Sequence, residues 1–420
     1  MDAMKRSRLL YIAEAGLEYL ISILVAGSFL ATLTRELGMS DSLTGILSSV
    51  ITLGCLFQLL SVSWRPLRAK KAVVLLSVTN QLLFLLLYLI PLLNIGKTLK
   101  IAVFVAVVFL AYLVYNFAHP KKINWLMSLV EDGARGVFTA NKEIVSLIMG
   151  MAFSFGMGAL CDYFTARGET RMAFAISATV IFLVMVLHTL SMMFAVEPPQ
   201  ETAKRKPLRE NLADVLKNKA LLKISVVFVL YHVAVSVSTP FYGTYQIGEL
   251  GFSLKYVSAV AVFGSFSRVL VSRAWGRYAD RRSFAEMVEK CLLFFAAASL
   301  FVTFTTPQNG RVLFVIYSIC HGIAMGGINS ALINLVFDYV PVELRADSLA
   351  VCQAGSGLLG FLATICMSTL VASIQKNGNH LFGIPIYAQQ VAAVLAAAVA
   401  LFAGFYVRKN LIGKRREDHE

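Results

Sequence analysis

Twelve stretches of roughly twenty mostly apolar residues divide almost all of this 420-residue chain. A helix of that length crosses ~30 Å of hydrocarbon at about 1.5 Å per residue. The spans run approximately 9–34, 43–63, 72–95, 100–119, 141–164, 172–195, 221–247, 255–275, 285–306, 311–335, 347–373 and 386–407. Turn-forming clusters separate several of them, such as Asn94-Ile95-Gly96, Arg167-Gly168-Glu169 and Lys376-Asn377-Gly378-Asn379. Hydrophobic residues make up 58% and charged residues 15%, against about a quarter charged in a soluble domain. One soluble core cannot hide so much apolar surface, so the solvent for most of the chain is lipid.

Lys5, Arg6 and Arg8 precede an apolar run that outlasts the h-region of a signal peptide, and no small-residue cleavage site follows. The first segment is therefore expected to be retained. With the N-terminus placed in the cytoplasm, 30 of the 38 lysines and arginines fall on that side. That bias orients multi-pass chains and predicts cytoplasmic termini, and the even spread of basic loops points to a cell (inner) membrane. It also explains the net charge of +14 without a nucleic-acid partner.

The chain repeats itself. Glu36-Leu37-Gly38-Met39-Ser40 returns as Glu249-Leu250-Gly251-Phe252-Ser253, Trp64 as Trp275, and Asn124, Arg135 and Gly150 as Asn334, Arg345 and Gly360, at offsets of 213, 211 and 210. A drifting offset is the trace of a duplicated half, and paired halves in a membrane chain point to a transporter with its site at the repeat interface. The expected architecture is an all-α polytopic membrane protein of twelve helices in two pseudo-symmetric six-helix bundles. The first bundle is expected over 1–195, a cytoplasmic linker over 196–220, the second bundle over 221–407 and a cytoplasmic tail over 408–420. Within the linker, Asn211 to Lys219 reads either as a short amphipathic helix or as a solvated strap.

Two six-helix halves, a basic central loop and cytoplasmic ends resemble the major facilitator superfamily (MFS). The most specific element is Gly276-Arg277-Tyr278-Ala279-Asp280-Arg281, similar to that family's Gly-x-x-x-Asp-Arg/Lys loop. Arg135-Gly136 and Arg345-Ala346 look like its repeated Arg-Gly element. The resemblance implies gating roles for Asp280, Arg281, Arg135 and Arg345, with Asp280 latching onto the start of the fifth segment near Thr139-Ala140-Asn141. A carboxylate suits a helix N-terminus, where it accepts backbone N–H bonds. The first half has Ala69 where Asp280 stands, so the latch is expected on one side only. Segments 3, 6, 9 and 12 are outer helices in this family. Segments 9 and 12 read as plain, and His188 in segment 6 is discounted on that ground. Asn80-Gln81 in segment 3 breaks the rule.

Ionisable groups inside a span are costly and mark function. Glu14 and Glu18 lie four residues apart on one helical face, with Glu18 near mid-membrane and Glu14 close enough to the end to pair with Lys5, Arg6 or Arg8. Glu18 stands as a proton carrier, an ion-pair partner or a contact for a cationic substrate. Arg268, two-thirds across the eighth segment, needs a partner such as Glu18, an anionic substrate or an aqueous cavity. Asn116, Tyr231, His232, His321 and Gln353 complete the candidate lining for substrate or proton coupling. Near the end of the seventh segment, Thr239-Pro240 invites a helix break.

Six scattered cysteines without a Cys-x-x-Cys pair give no metal or redox site. Gly355-Ser356-Gly357-Leu358-Leu359-Gly360 mimics a dinucleotide motif, but no strand precedes it and close helix packing explains it better. No Walker loop, catalytic triad or cofactor site is present, so no enzyme activity is expected. The reading is a monomeric secondary transporter that moves a small polar solute by alternating access, with protons as the candidate coupling ion. Efflux of drugs or lipophilic cations is the alternative, and a non-transporting receptor or scaffold with the same fold is the other class.

Overall fold

The structure, a computed structural model, describes residues 3–63, 69–130, 135–197, 219–340 and 345–412. The segment Asn211 to Lys219 lies almost wholly outside them. Among the described residues, eleven helices are long and apolar enough to span a membrane. The chain is an all-α multi-pass membrane protein. The ninth expected span, 285–306, is helical over Phe284–Thr303 but carries Glu286, Glu289 and Lys290 in its first two turns. It is less plain than expected for an outer helix of this family.

The chain divides into two compact units. One comprises Met1–Ala203 with Gln246–Gly248 and Phe252–Ala259, and the other the remainder. In the first, α1 (Ala3–Leu24) continues as α2 (Gly27–Glu36), followed by α3 (Asp41–Ser63), α4 (Ala69–Leu89), α5 (Lys97–Met127), α6 (Arg135–Ala166) and α7 (Thr170–Phe194). Helix α1 packs on α6 and α7, α4 on α5 and α7, and α3 on α5. In the second, apart from the short stretches just named, α8 (Lys219–Ser236) is followed by α9 (Thr239–Thr244), a π-helical turn (Tyr245–Glu249), α10 (Leu254–Arg281), α11 (Phe284–Thr303), α12 (Gly310–Tyr339), α13 (Arg345–Lys376) and α14 (Ala388–Asn410). There α8 packs on α13 and α14, and α11 on α12 and α14, so the pairing of the first unit recurs.

The repeat reaches individual contacts. A Cβ on Gly150 would meet the Tyr19 ring and Ile23, and one on Gly360 would meet Ser236 and His232. Tyr19 and Ile23 lie 213 residues before His232 and Ser236. The first helix of each half also breaks within one residue of the same repeat position, after Leu24 and after Ser236. A break frees backbone carbonyls that lipid cannot satisfy. Tyr88 donates to Leu24 O (2.6 Å), while Thr239 donates to Val235 O (2.9 Å) and Thr364 to Ser236 O (2.8 Å). The break expected near Pro240 is present.

Small residues set the helix spacing. Gly322 in α12 sits so close to Gly264 in α10 that an added Cβ would lie 2.2 Å from the Gly264 carbonyl oxygen. Helix α7 shows how an outer helix can be two-faced. It exposes Phe182, Leu183, Leu187 and Met193, and buries Ile181, Met185 and His188. Exposed apolar rows of this kind suit contact with lipid.

Candidate functional site

The site of the first unit starts from helix periodicity. Glu14 and Glu18 project from one face of α1. On α5, Tyr115, Ala118, His119 and Lys122 form a stripe at spacings of three and four. The fourth expected span ended at 119, before His119-Pro120-Lys121-Lys122 had turned, yet α5 runs through Pro120 to Met127. Packing drives that extension: Trp125 is fully buried with Leu126 against Tyr11, Val73 and Met192, and its indole N–H donates to Val196 O at 3.1 Å. Lys122 thereby sits inside the bundle.

Its ammonium lies 2.9 Å from Glu14 Oε1 and 2.5 Å from Glu18 Oε2. Glu14 therefore does not pair with the terminal Lys5, Arg6 or Arg8 as the sequence suggested. Its second neighbour is His188 on α7, whose Nε2 lies 3.2 Å from Glu14 Oε1. Gln81 Nε2 lies 3.0 Å from His188 Nδ1. With the imidazole neutral and its proton on Nε2, both contacts are satisfied: Nε2–H donates to Glu14 and Nδ1 accepts from Gln81. Asn80 donates to Ala111 O at 2.9 Å, tying α4 to α5. The discounted His188 and the unexplained Asn80-Gln81 pair thus belong to one polar chain crossing α4, α7, α1 and α5.

The two carboxylates are not equivalent. Glu14 is 2% exposed and held by two partners, whereas Glu18 is 25% exposed and faces Lys122 alone among the ion pairs of the described residues. Taking charges out of water costs several kcal/mol per ion and is offset only by close pairing, which the two short distances supply. The donor atoms of Glu14, Glu18 and His188 lie within 4.8 Å of one another, a set that could hold a metal ion. The Lys122 ammonium already pairs with both carboxylates of that set. A small cavity of about 10 Å³ adjoins Glu18 and Lys122.

Asn116 is 1% exposed and acts as a helix tie, accepting from Gln58 Nε2 (2.8 Å) and donating to Tyr112 O (2.9 Å). Gly54 leaves room for its amide.

In the second unit, Tyr231 donates to Met325 Sδ at 3.4 Å, and His232 Nδ1 lies 2.9 Å from Phe228 O. His321 stacks on Tyr317 at 5.3 Å between ring centroids and lies 5.8 Å from Phe295. Arg268, half-buried on α10, is near enough to act electrostatically on both Tyr231 and His321. Tyr231 and His321 both pack on Phe295, at 6.5 and 5.8 Å between ring centroids, and Gln353 is half-buried on α13. Asp280 and Arg281 are exposed at the end of α10. Arg135 and Arg345 open α6 and α13, but their side chains lie outside the described residues.

The repeat shows where the halves have parted. Glu18 corresponds to Tyr231 at the 213 offset, and Tyr115 and Lys122 to Met325 and Leu332 at the 210 offset. The position that carries a buried ion pair in one half carries a phenol and apolar side chains in the other.

A model of the Major Facilitator Superfamily matches residues 15–364. Among solved structures, the chain is similar to a D-xylose-proton symporter (TM-score 0.74, 10% identity, 99% of this chain and 99% of that one). It is similar to the nucleoside transporter NupG (TM-score 0.68, 13% identity, covering 97% and 99%). A bacterial homolog of the human lysosomal transporter Spinster, in an inward-facing and unoccupied conformation, matches with a TM-score of 0.62 at 13% identity, covering 97% and 97%. No curated protein matches in sequence.

Proposed function

The chain belongs to the Major Facilitator Superfamily, a family of membrane transporters, and from that premise we propose that it moves a small polar solute by alternating access, with Glu18 exchanging a proton during the cycle. The observation that carries this reading is the Lys122 ammonium shared between Glu14 and Glu18. Glu14, with His188 behind it, is the standing counter-ion. Glu18, more exposed and singly partnered, is the carboxylate free to change state. A proton arriving at Glu18 replaces the ion pair with a neutral acid, so Lys122 relaxes toward Glu14 and the local field changes.

The polar group Tyr231, Arg268 and His321 offers hydrogen-bond donors and aromatic faces to a hydroxyl-bearing solute. The sugar and nucleoside named for two solved neighbours are polar solutes of that kind. Cytoplasmic termini, a monomeric carrier and the Asp280 latch form part of the same proposal.

The test uses proteoliposomes loaded with a pH-sensitive dye, challenged from outside with sugars, nucleosides, organic acids and lipophilic cations. Solute-triggered acidification of the lumen is expected for symport and alkalinisation for antiport, and Glu18→Gln is expected to abolish either signal. Solute flux without any pH change in wild type and variant alike would remove the proton from the mechanism. A response to lipophilic cations alone would replace the polar solute with drug efflux.

A further inference from the structure

The cavity beside the ion pair has no role so far. Its volume is about 10 Å³, close to the smallest space that holds one water molecule. Its polar lining comes from Glu18, Ser77, Asn80, Tyr115, His119 and Lys122. A dry cavity of this kind is normally apolar, and a buried water normally has two to four polar partners. His119 supplies a second, independent observation. Its ring packs on Tyr115 at 5.2 Å between centroids, and its Nδ1 is buried without a hydrogen-bond partner. An orphaned buried acceptor costs about 1–3 kcal/mol, and a single water within reach of it would remove that cost.

We infer that this cavity is a binding site for a single water that bridges Glu18 to His119 Nδ1, and that His119 is the second station for the proton exchanged at Glu18. The step balances. Protonated Glu18 donates its O–H to the water, and the water passes its own proton to His119 Nδ1. A carboxylate and an imidazolium replace an acid and a neutral imidazole, and the water is regenerated. The charges acting on His119 are Lys122 on its own helix, Glu14 and Glu18 on α1 and Lys142 on α6. Helix α4 contributes only the neutral Ser77 and Asn80 to the cavity wall. Deprotonated Glu18 is then free to re-form its bond to Lys122, which couples proton departure to recovery of the ion pair.

This inference rests on proton exchange at Glu18 and is tested with the proton itself as probe. The full-length protein, labelled with ¹⁵N-histidine in lipid nanodiscs, is titrated by NMR, with the His119 signals assigned by their loss in His119→Gln. At high pH, His119 Nδ1 is expected to report an acceptor nitrogen with magnetisation transfer from water, and on acidification to gain a proton. Glu18→Gln is expected to change the proton affinity of His119 by roughly tenfold, the scale of one nearby charge. Ser77→Leu, which fills the cavity, is expected to abolish the water transfer while Glu18 and His119 remain. A His119 that shows no bound water, or that titrates identically in wild type, Glu18→Gln and Ser77→Leu, overturns the inference. In that event a dye signal still lost in Glu18→Gln leaves proton exchange at Glu18 standing, whereas an unchanged dye signal removes both.

Discussion

Lys122 on α5 reaches Glu18 on α1 at 2.5 Å while also bonding Glu14 at 2.9 Å, so one buried ammonium serves two carboxylates. Lys122→Met leaves both acids without it. Removing one member of a buried ion pair typically costs about 3–5 kcal/mol, and a loss of that order is expected in thermal unfolding of the detergent-purified protein. Adding Glu14→Gln to Lys122→Met should recover part of the loss. A double variant no more stable than the single one would mean that the ion pair does not organise the bundle.

The outer link of the polar chain makes a graded prediction. His188→Leu removes a hydrogen bond to a charged group and should cost about 1.5–3 kcal/mol. Gln81→Leu should cost less, because the Gln81 carbonyl oxygen is already buried without a partner. The two residues are in contact, so their effects should couple by about 0.5–3 kcal/mol in a double-mutant cycle. Strict additivity would show that the Gln81–His188 contact is incidental.

Two glycines on neighbouring helices should behave oppositely. A methyl group on Gly322 would collide with the Gly264 carbonyl, whereas one on Gly355 would meet open space. Gly322→Ala must push α10 and α12 apart, at about 1–3 kcal/mol. Gly355→Ala should be neutral or stabilising by up to about 1 kcal/mol through helix propensity. Melting temperatures of the two variants, compared side by side, check the pair.

Tyr11 offers a control within the site's own core. Its ring is fully buried against Phe138, but its hydroxyl has no hydrogen-bond partner. Tyr11→Phe should therefore leave stability unchanged or raise it slightly. A loss above about 1 kcal/mol, measured in the same unfolding assay, would reveal a partner for that hydroxyl.

Much of the scaffold was legible in the chain because lipid imposes simple arithmetic on span length. The repeat offsets carried further, since Gly150 and Gly360 turned out to mark equivalent contacts. The interior of the site was less legible. Lys122 follows a proline and a second lysine, which together read as a loop; only tertiary packing of Trp125 and Leu126 keeps α5 helical beyond them. Family analogy puts His188 on a peripheral helix, yet a helix that faces lipid on one side still buries the other. The signal was present in Asn80-Gln81, a polar pair in another outer helix at a depth where unpaired amides are not tolerated. Partner identity was out of reach, because spacing along one helix cannot tell which neighbour a side chain will meet.

The tether of Lys122 has an electrical consequence. An ammonium bonded to the backbone cannot leave with the cargo, so the cation that neutralises the carboxylates makes no contribution to current. Under the proposed cycle, a neutral solute and one proton carry a single elementary charge per turnover. A membrane potential acts on that charge with about 2.3 kcal/mol per 100 mV. At about 1.4 kcal/mol per factor of ten, that voltage alone sustains a solute ratio of roughly fifty across the bilayer.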